Sequence, residues 1–190
     1  SKLSSLHLLH EISADLTSTL NLNRVLSACL QRVQNLLGVA TASILTVEGE
    51  DLVFQVAIGE KSSEVKPFRV PMGHGIAGWV AQNARATYSN DVRHDARFYR
   101  TVDAGTGFVT QALMAAPLIV NGRVIGVIEV SNKPGGFTDS DVDLLSTIAG
   151  GAAIADIRSR FGDEYIDAHG ALDRVRMRER VFSDVWARQA

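Results

Sequence analysis

The residues of this chain whose types and spacing suit chemistry cluster between positions 73 and 103. Gly73-His74-Gly75-Ile76-Ala77-Gly78 has the spacing of a glycine-rich phosphate loop. In such a loop glycine lets backbone approach a ligand, and N–H groups at a helix start receive an anion. The dinucleotide form of that loop follows a buried apolar strand and opens a long crossover helix. Here the preceding segment is fenced by Pro67 and Pro71, and the helix that follows is short. A dinucleotide site is therefore not expected. Two readings stay open: a turn that merely feeds a helix, or a place where a phosphate or carboxylate meets the N–H groups of Ile76 and Ala77.

A second group, Arg93, Arg97 and Arg100, lies beside Phe98 and Tyr99. An aromatic ring can stack on a base while an arginine meets a phosphate, and the same pattern equally suits a surface loop with one buried aromatic. His74 and His94 stand in loops where they either hydrogen-bond a ligand or face solvent. Asp91, Asp95 and Asp103 occupy turn-like positions that favour Asp for local reasons. Thr101 to Thr110, rich in Gly, Thr and Ala, reads as a mobile lid over a cavity. There is no GxxxxGK[ST] loop, nucleophile elbow or helical His-Glu-x-x-His, and His7 and His10 form the polar edge of a helix rather than a metal site. Neither catalytic residues nor a metal are expected.

These groups need elements to hold them. Leu3, Leu6, Leu9, Ile12, Leu16 and Leu20 recur at helical spacing, and Leu22, Val25, Leu26, Cys29, Leu30, Val33, Leu36 and Leu37 repeat it until Gly38. Cys29 falls on that apolar face as a small buried hydrophobe. Ala42–Val47 and Leu52–Ile58 read as a hairpin, Phe68–Val70 as an edge strand, Ile76–Asn83 as a short helix and Thr87–Asn90 as a short strand. Ala112–Val120 and Arg123–Ser131 flank Asn121-Gly122, the strongest two-residue hairpin signal, and read as the sheet centre. Thr138 with Asp141 three residues on opens a closing helix that Gly150-Gly151 weakens without ending. Beyond Asp163 the composition turns polar but keeps a helical stripe. The sum is an α+β architecture, an antiparallel sheet with helices packed on it. Residues 1–20 are expected to be a helix that also serves a dimer interface, 21–160 the domain core, and 161–190 a helical extension.

The chain has 190 residues, 46% of them hydrophobic, and a formal net charge of −2. That is enough apolar content for a core, so disorder is excluded as the main state. With no basic field, nucleic acid is not an expected partner. Ala112 to Val120 is too short to cross a bilayer, which needs ~20 residues, and His7, His10 and Glu11 break any apolar signal region. The single cysteine excludes an internal disulfide or multi-cysteine metal centre and suits a reducing compartment. A cytoplasmic location without membrane contact is the expectation. The start at Ser1 rather than Met suggests a piece of a longer or processed protein.

Together these segments resemble the GAF family of bacterial sensory domains over roughly residues 5 to 158. The matching stretches are Leu8-Leu9-His10-Glu11-Ile12-Ser13, Val70-Pro71-Met72-Gly73-His74-Gly75-Ile76-Ala77-Gly78-Trp79-Val80-Ala81, Asn90-Asp91-Val92, Asp95-Ala96-Arg97-Phe98, and Val124-Ile125-Gly126-Val127-Ile128-Glu129-Val130. Asn132, Lys133, Phe137 and Asp141 resemble the Asn-Lys/Phe/Asp-Glu motif of the cyclic-nucleotide-binding members, with Val142 in place of the final Glu. The resemblance implies a six-stranded antiparallel sheet flanked by helices, and a structural Lys133–Asp141 ion pair. It implies a pocket between sheet and covering loops lined by Ser43, Ile76, Ala77, Asn90, Asp91, Phe98, Thr110 and Glu129. No cysteine lies between Asp91 and Thr110, so no covalent bilin is expected, and no other resident cofactor. The family's sulfoxide-reducing members use several cysteines where this chain has only Cys29. The function implied is a sensor module that binds a small-molecule effector, a cyclic nucleotide among the candidates, and signals through terminal helices to an output domain. The alternative is a homodimerising scaffold with no ligand.

Overall fold

A computed structural model describes residues 22–161. The first helix expected over residues 1–20 and the extension after 161 lie outside the described residues. Helix α1 (residues 22–37) is followed by β1 (Thr41–Glu48), β2 (Asp51–Gly59), β3 (Arg69–Pro71), α2 (Gly75–Asn83), β4 (Thr87–Ser89), α3 (Thr101–Thr106), β5 (Leu113–Val120), β6 (Arg123–Ser131) and α4 (Asp139–Phe161). The six strands form one antiparallel sheet in the order β3-β2-β1-β6-β5-β4. The expected α+β class and strand number are those observed.

The central pair is β1 with β6, so β5 sits one place off the centre expected for the β5–β6 hairpin. The sequence reading missed this because local turn signals identify hairpin partners, whereas the β1–β6 pairing joins strands that are distant along the chain. Pro71 ends the edge strand β3, where a missing ladder donor costs nothing.

Both faces of the sheet are covered, which explains why β1 and β5 read as apolar runs rather than alternations. On one face Leu22, Leu26, Leu30, Val33 and Leu37 of α1 and Leu145, Ala149, Ala152 and Ala153 of α4 pack against Ile44, Met114, Ile128 and Val130. Cys29 is half-buried against this layer, and burial pushes its thiol pKa up. On the other face Ile76, Ala77, Val80 and Ala81 of α2 pack against Leu45, Val47, Ala115 and Val127.

A β-bulge decides which residues of β2 reach which layer. Ile44 pairs with Val56 but Leu45 pairs with Phe54, leaving Gln55 as the extra residue. Phe54 therefore joins the α2 face while Val56, two residues on, joins the helical face. Without the bulge residues two apart would share a face.

Helix α4 opens as its sequence signature requires. The Asp141 carboxylate accepts the Thr138 N–H at 2.9 Å, and the Asp141 N–H donates to the Thr138 hydroxyl at 3.3 Å. The helix runs through Gly150-Gly151 to Phe161. No helix among the described residues is long and apolar enough to cross a membrane.

Candidate functional site

On the α2 face the sheet, α2 and the segment between β4 and β5 line an open-mouthed cavity, whose empty space counted out through the mouth is about 770 Å³. Its floor is the polar end of the central strand pair. Ser43 on β1 lies opposite Glu129 on β6, and Thr41 lies opposite Ser131, the two hydroxyls hydrogen-bonded to each other. Phe54, Val65, Val70, Val102, Phe108 and Leu113 supply apolar wall.

One wall is the start of α2. Gly75 has φ +69, a left-handed conformation, and a Cβ there would fall 2.8 Å from the Tyr99 Cβ. Glycine at this position thus lets the helix start abut the segment that covers the cavity. No side chain caps the helix, so the N–H groups of Gly75, Ile76 and Ala77, all buried and all lining the cavity, keep their donor capacity. The glycine loop is a tight turn that opens α2 at the cavity wall. His74 is at the N-cap position but is exposed and does not line the cavity.

The cover carries Phe98, Tyr99, Val102, Asp103, Thr106, Phe108 and Thr110 into the cavity. The stretch read as a mobile lid, Thr101 to Thr110, is packed onto the domain: six residues form α3, Thr106 is buried, and a Cβ on Gly105 would meet the Phe68 ring at 2.2 Å. Asp103 is committed to local structure, accepting the Thr110 N–H at 2.7 Å and the Thr110 hydroxyl at 2.8 Å.

Glu129 has no hydrogen-bond partner among the described residues; it lines the cavity and is partly buried. Burial, with the nearby Asp103 carboxylate adding repulsion, pushes its pKa up to about 7. Such a carboxyl is held between its two protonation states near neutrality and lacks the donors that would stabilise the charged one.

Six of the eight pocket residues implied by the resemblance meet here: Ser43, Ile76, Ala77, Phe98, Thr110 and Glu129. Asn90 and Asp91 do not line the cavity. The Asn90 side chain is taken up by the backbone of Phe137, donating to its carbonyl at 3.0 Å and accepting its N–H at 2.7 Å. Asp91 points outward and pairs with His94 at 2.6 Å, which holds its carboxyl below the usual range. The arginines also turn away from the cavity. Arg97 grips Asp95 through Nε at 3.0 Å and Nη2 at 2.7 Å, lowering the Asp95 pKa, and lies 5.0 Å from the centre of the Trp79 ring. Arg100 donates to the Arg93 carbonyl. Only the aromatic half of that motif, Phe98 and Tyr99, reaches the site. Sequence reasoning did not single out Phe54, Lys61, Thr106 or Phe108 as cavity residues; the bulge that turns Phe54 inward leaves no local signal.

The motif residues lie just outside the cavity. Lys133 Nζ is 2.6 Å from the Asp141 carboxylate, Phe137 is buried, and Asn132 bonds the backbone at the end of the cover. No cluster of His, Cys, Asp and Glu among the described residues suits a metal.

The family model described as GAF domain matches residues 19–155. The chain belongs to the GAF family. This GAF domain is 30% identical over 141 residues to a probable 3′,5′-cyclic phosphodiesterase of Caenorhabditis elegans, covering 68% of this chain and 19% of the relative. It is 30% identical over 152 residues to a dual 3′,5′-cyclic-AMP and -GMP phosphodiesterase of Drosophila melanogaster, covering 72% and 10%. The GAF chain thus spans at most about a fifth of either relative's length. Its fold matches the GAF domain of an Acinetobacter phosphoenolpyruvate-protein phosphotransferase with TM-score 0.63 at 16% identity, covering 80% of this chain and 95% of that one.

Proposed function

We propose that this GAF domain is a non-catalytic sensor that binds a 3′,5′-cyclic nucleotide in the cavity between sheet and cover and regulates an output domain of its parent protein. The observation that carries the reading is one cavity with two unsatisfied ends: uncapped N–H groups at α2 and an unpartnered carboxyl at Glu129. A cyclic nucleotide has a phosphate for the first, N–H or hydroxyl donors for the second, and a flat base for Phe98 and Tyr99. In this reading Ile76 and Ala77 hold the phosphate. Ser43, Thr110 and Glu129 meet the polar edges of base and ribose. Two relatives named for cyclic phosphodiesterases support it. Ligand binding shifts the cover between two states of different affinity, and the terminal helices pass the shift on.

The test is thermal unfolding with and without millimolar cyclic AMP or cyclic GMP. At about 100 times Kd the bound state gains ~2.7 kcal/mol, which for a chain of this size raises the midpoint by roughly 5–10 °C. No shift with either nucleotide overturns the reading.

The second reading, a homodimerising scaffold, is favoured by Val25 and Leu36, 51% and 65% exposed on α1. A monomer at micromolar concentration by light scattering contradicts it.

A further inference from the structure

The cavity cover begins after Asn90 and ends at Gln111, and both ends are fastened to the same short loop, residues 132–138, that opens α4. At the first end the Asn90 amide is used on both sides by Phe137, donating to its carbonyl at 3.0 Å and accepting its N–H at 2.7 Å. Gly136 makes the fit: its φ is +84, and a Cβ there would fall 3.0 Å from the Asn90 amide. At the second end Asn132 does the same work with another amide. Its Oδ1 accepts the N–H groups of Gln111 and Ala112 at 2.8 and 3.2 Å, and its Nδ2 donates to the Val109 carbonyl at 2.9 Å. The backbone of Asn132 adds a bond to the Ala112 carbonyl. The loop is in turn fixed to the first turn of α4 by Lys133 on Asp141 and by the Thr138–Asp141 pair.

We propose that Asn90 and Asn132 are positioning residues that hang both ends of the cavity cover on the α4 loop, so that cover and exit helix open and close as one unit. Neither side chain lines the cavity, so each acts on it through the cover. An amide is required at both places because each side chain donates and accepts at once; a carboxylate of the same shape keeps the accepting bonds and loses the donating one. This gives the sensor a route from cavity to helix, and in that respect it rests on the reading of the cavity as a ligand site. The mechanical link itself does not.

Hydrogen exchange on the full chain tests both parts. Lys133→Met removes the ammonium whose hydrogen-bond partner is Asp141 on α4, and it is expected to speed exchange across residues 101–112 of the cover at least threefold, although the Lys133 side chain makes no hydrogen bond to them. In Asn90→Asp and Asn132→Asp backgrounds the same change is expected to leave the cover unaffected. Amides of β1 and β6 serve as the control for global unfolding. A Lys133→Met chain whose α4 start exchanges faster while the cover does not overturns the proposal, as does transmission that survives in both Asp variants. With cyclic GMP added, slowed exchange at residues 139–145 is expected in the wild type and lost in the Asp variants even though the thermal shift remains. Loss of the thermal shift in the wild type defeats the ligand reading alone and leaves the ligand-free comparison to decide the link.

Discussion

Glu129 shows how one buried group ties stability to the site. Its folded pKa of about 7 lies above the ordinary carboxylate value. Between those two values the folded chain keeps a proton that the unfolded chain has released, so stability falls as pH rises through that window. Glu129→Gln keeps the shape and removes the ionisation. Urea unfolding from pH 5 to pH 8 is expected to show the variant gaining on the wild type by on the order of 2 kcal/mol, the full shift being discounted for water admitted by the cavity. Parallel profiles would mean that Glu129 ionises as it does in solvent. The resemblance brought this residue into view. Its lack of a partner appears only when the neighbouring strands and the cover are in place.

At the scale of elements, the start of α4 carries the clearest electrostatic signature. Burial pushes the Asp141 pKa up, but the Lys133 ammonium and the Thr138 N–H together outweigh it and hold the carboxyl below its usual range. A depressed folded value stabilises at pH above the ordinary carboxylate range, and that stabilisation is lost as pH falls through the folded value. Asp141→Asn is expected to cost about 2 kcal/mol at pH 7, with the gap to wild type closing on acidification toward pH 3, as read from denaturant midpoints. A gap that stays constant with pH would remove the ion pair from the account. The cap was legible because Thr138 and Asp141 are three residues apart and act locally. The partners of Asn90 were not, because its contacts at Phe137 lie on a different element.

For the whole molecule, the sheet separates two layers with different duties. The helices α1 and α4 fill one side, whereas the cavity occupies the other. Leu30 is fully buried in the helical layer, and Leu30→Ala is expected to cost roughly 2–5 kcal/mol through lost transfer energy and the void left behind. If cyclic GMP binds, titration of the folded variant is expected to give a Kd within about twofold of wild type, since no cavity-lining residue changes and the sheet stands between. A tenfold weaker Kd would show that the layers are coupled through the sheet.

By itself the sequence determined whatever depends on neighbours along the chain. Helical spacing marked α1, Asn121-Gly122 marked the β5–β6 hairpin, Pro71 marked an edge, and the stretch from Val70 to Ala81 carried enough of the family pattern to imply the sheet and its pocket. Tertiary structure decided whatever depends on which distant strand lies alongside. The β1–β6 pairing set the sheet centre and brought Ser43 opposite Glu129, and the bulge at Gln55 turned Phe54 toward the cavity. The α4 loop drew Asn90 away from the cavity to which the family pattern had assigned it. The reason is physical: a side chain's type and period follow from its own segment, but its hydrogen-bond partners are supplied by whichever segments the fold brings beside it.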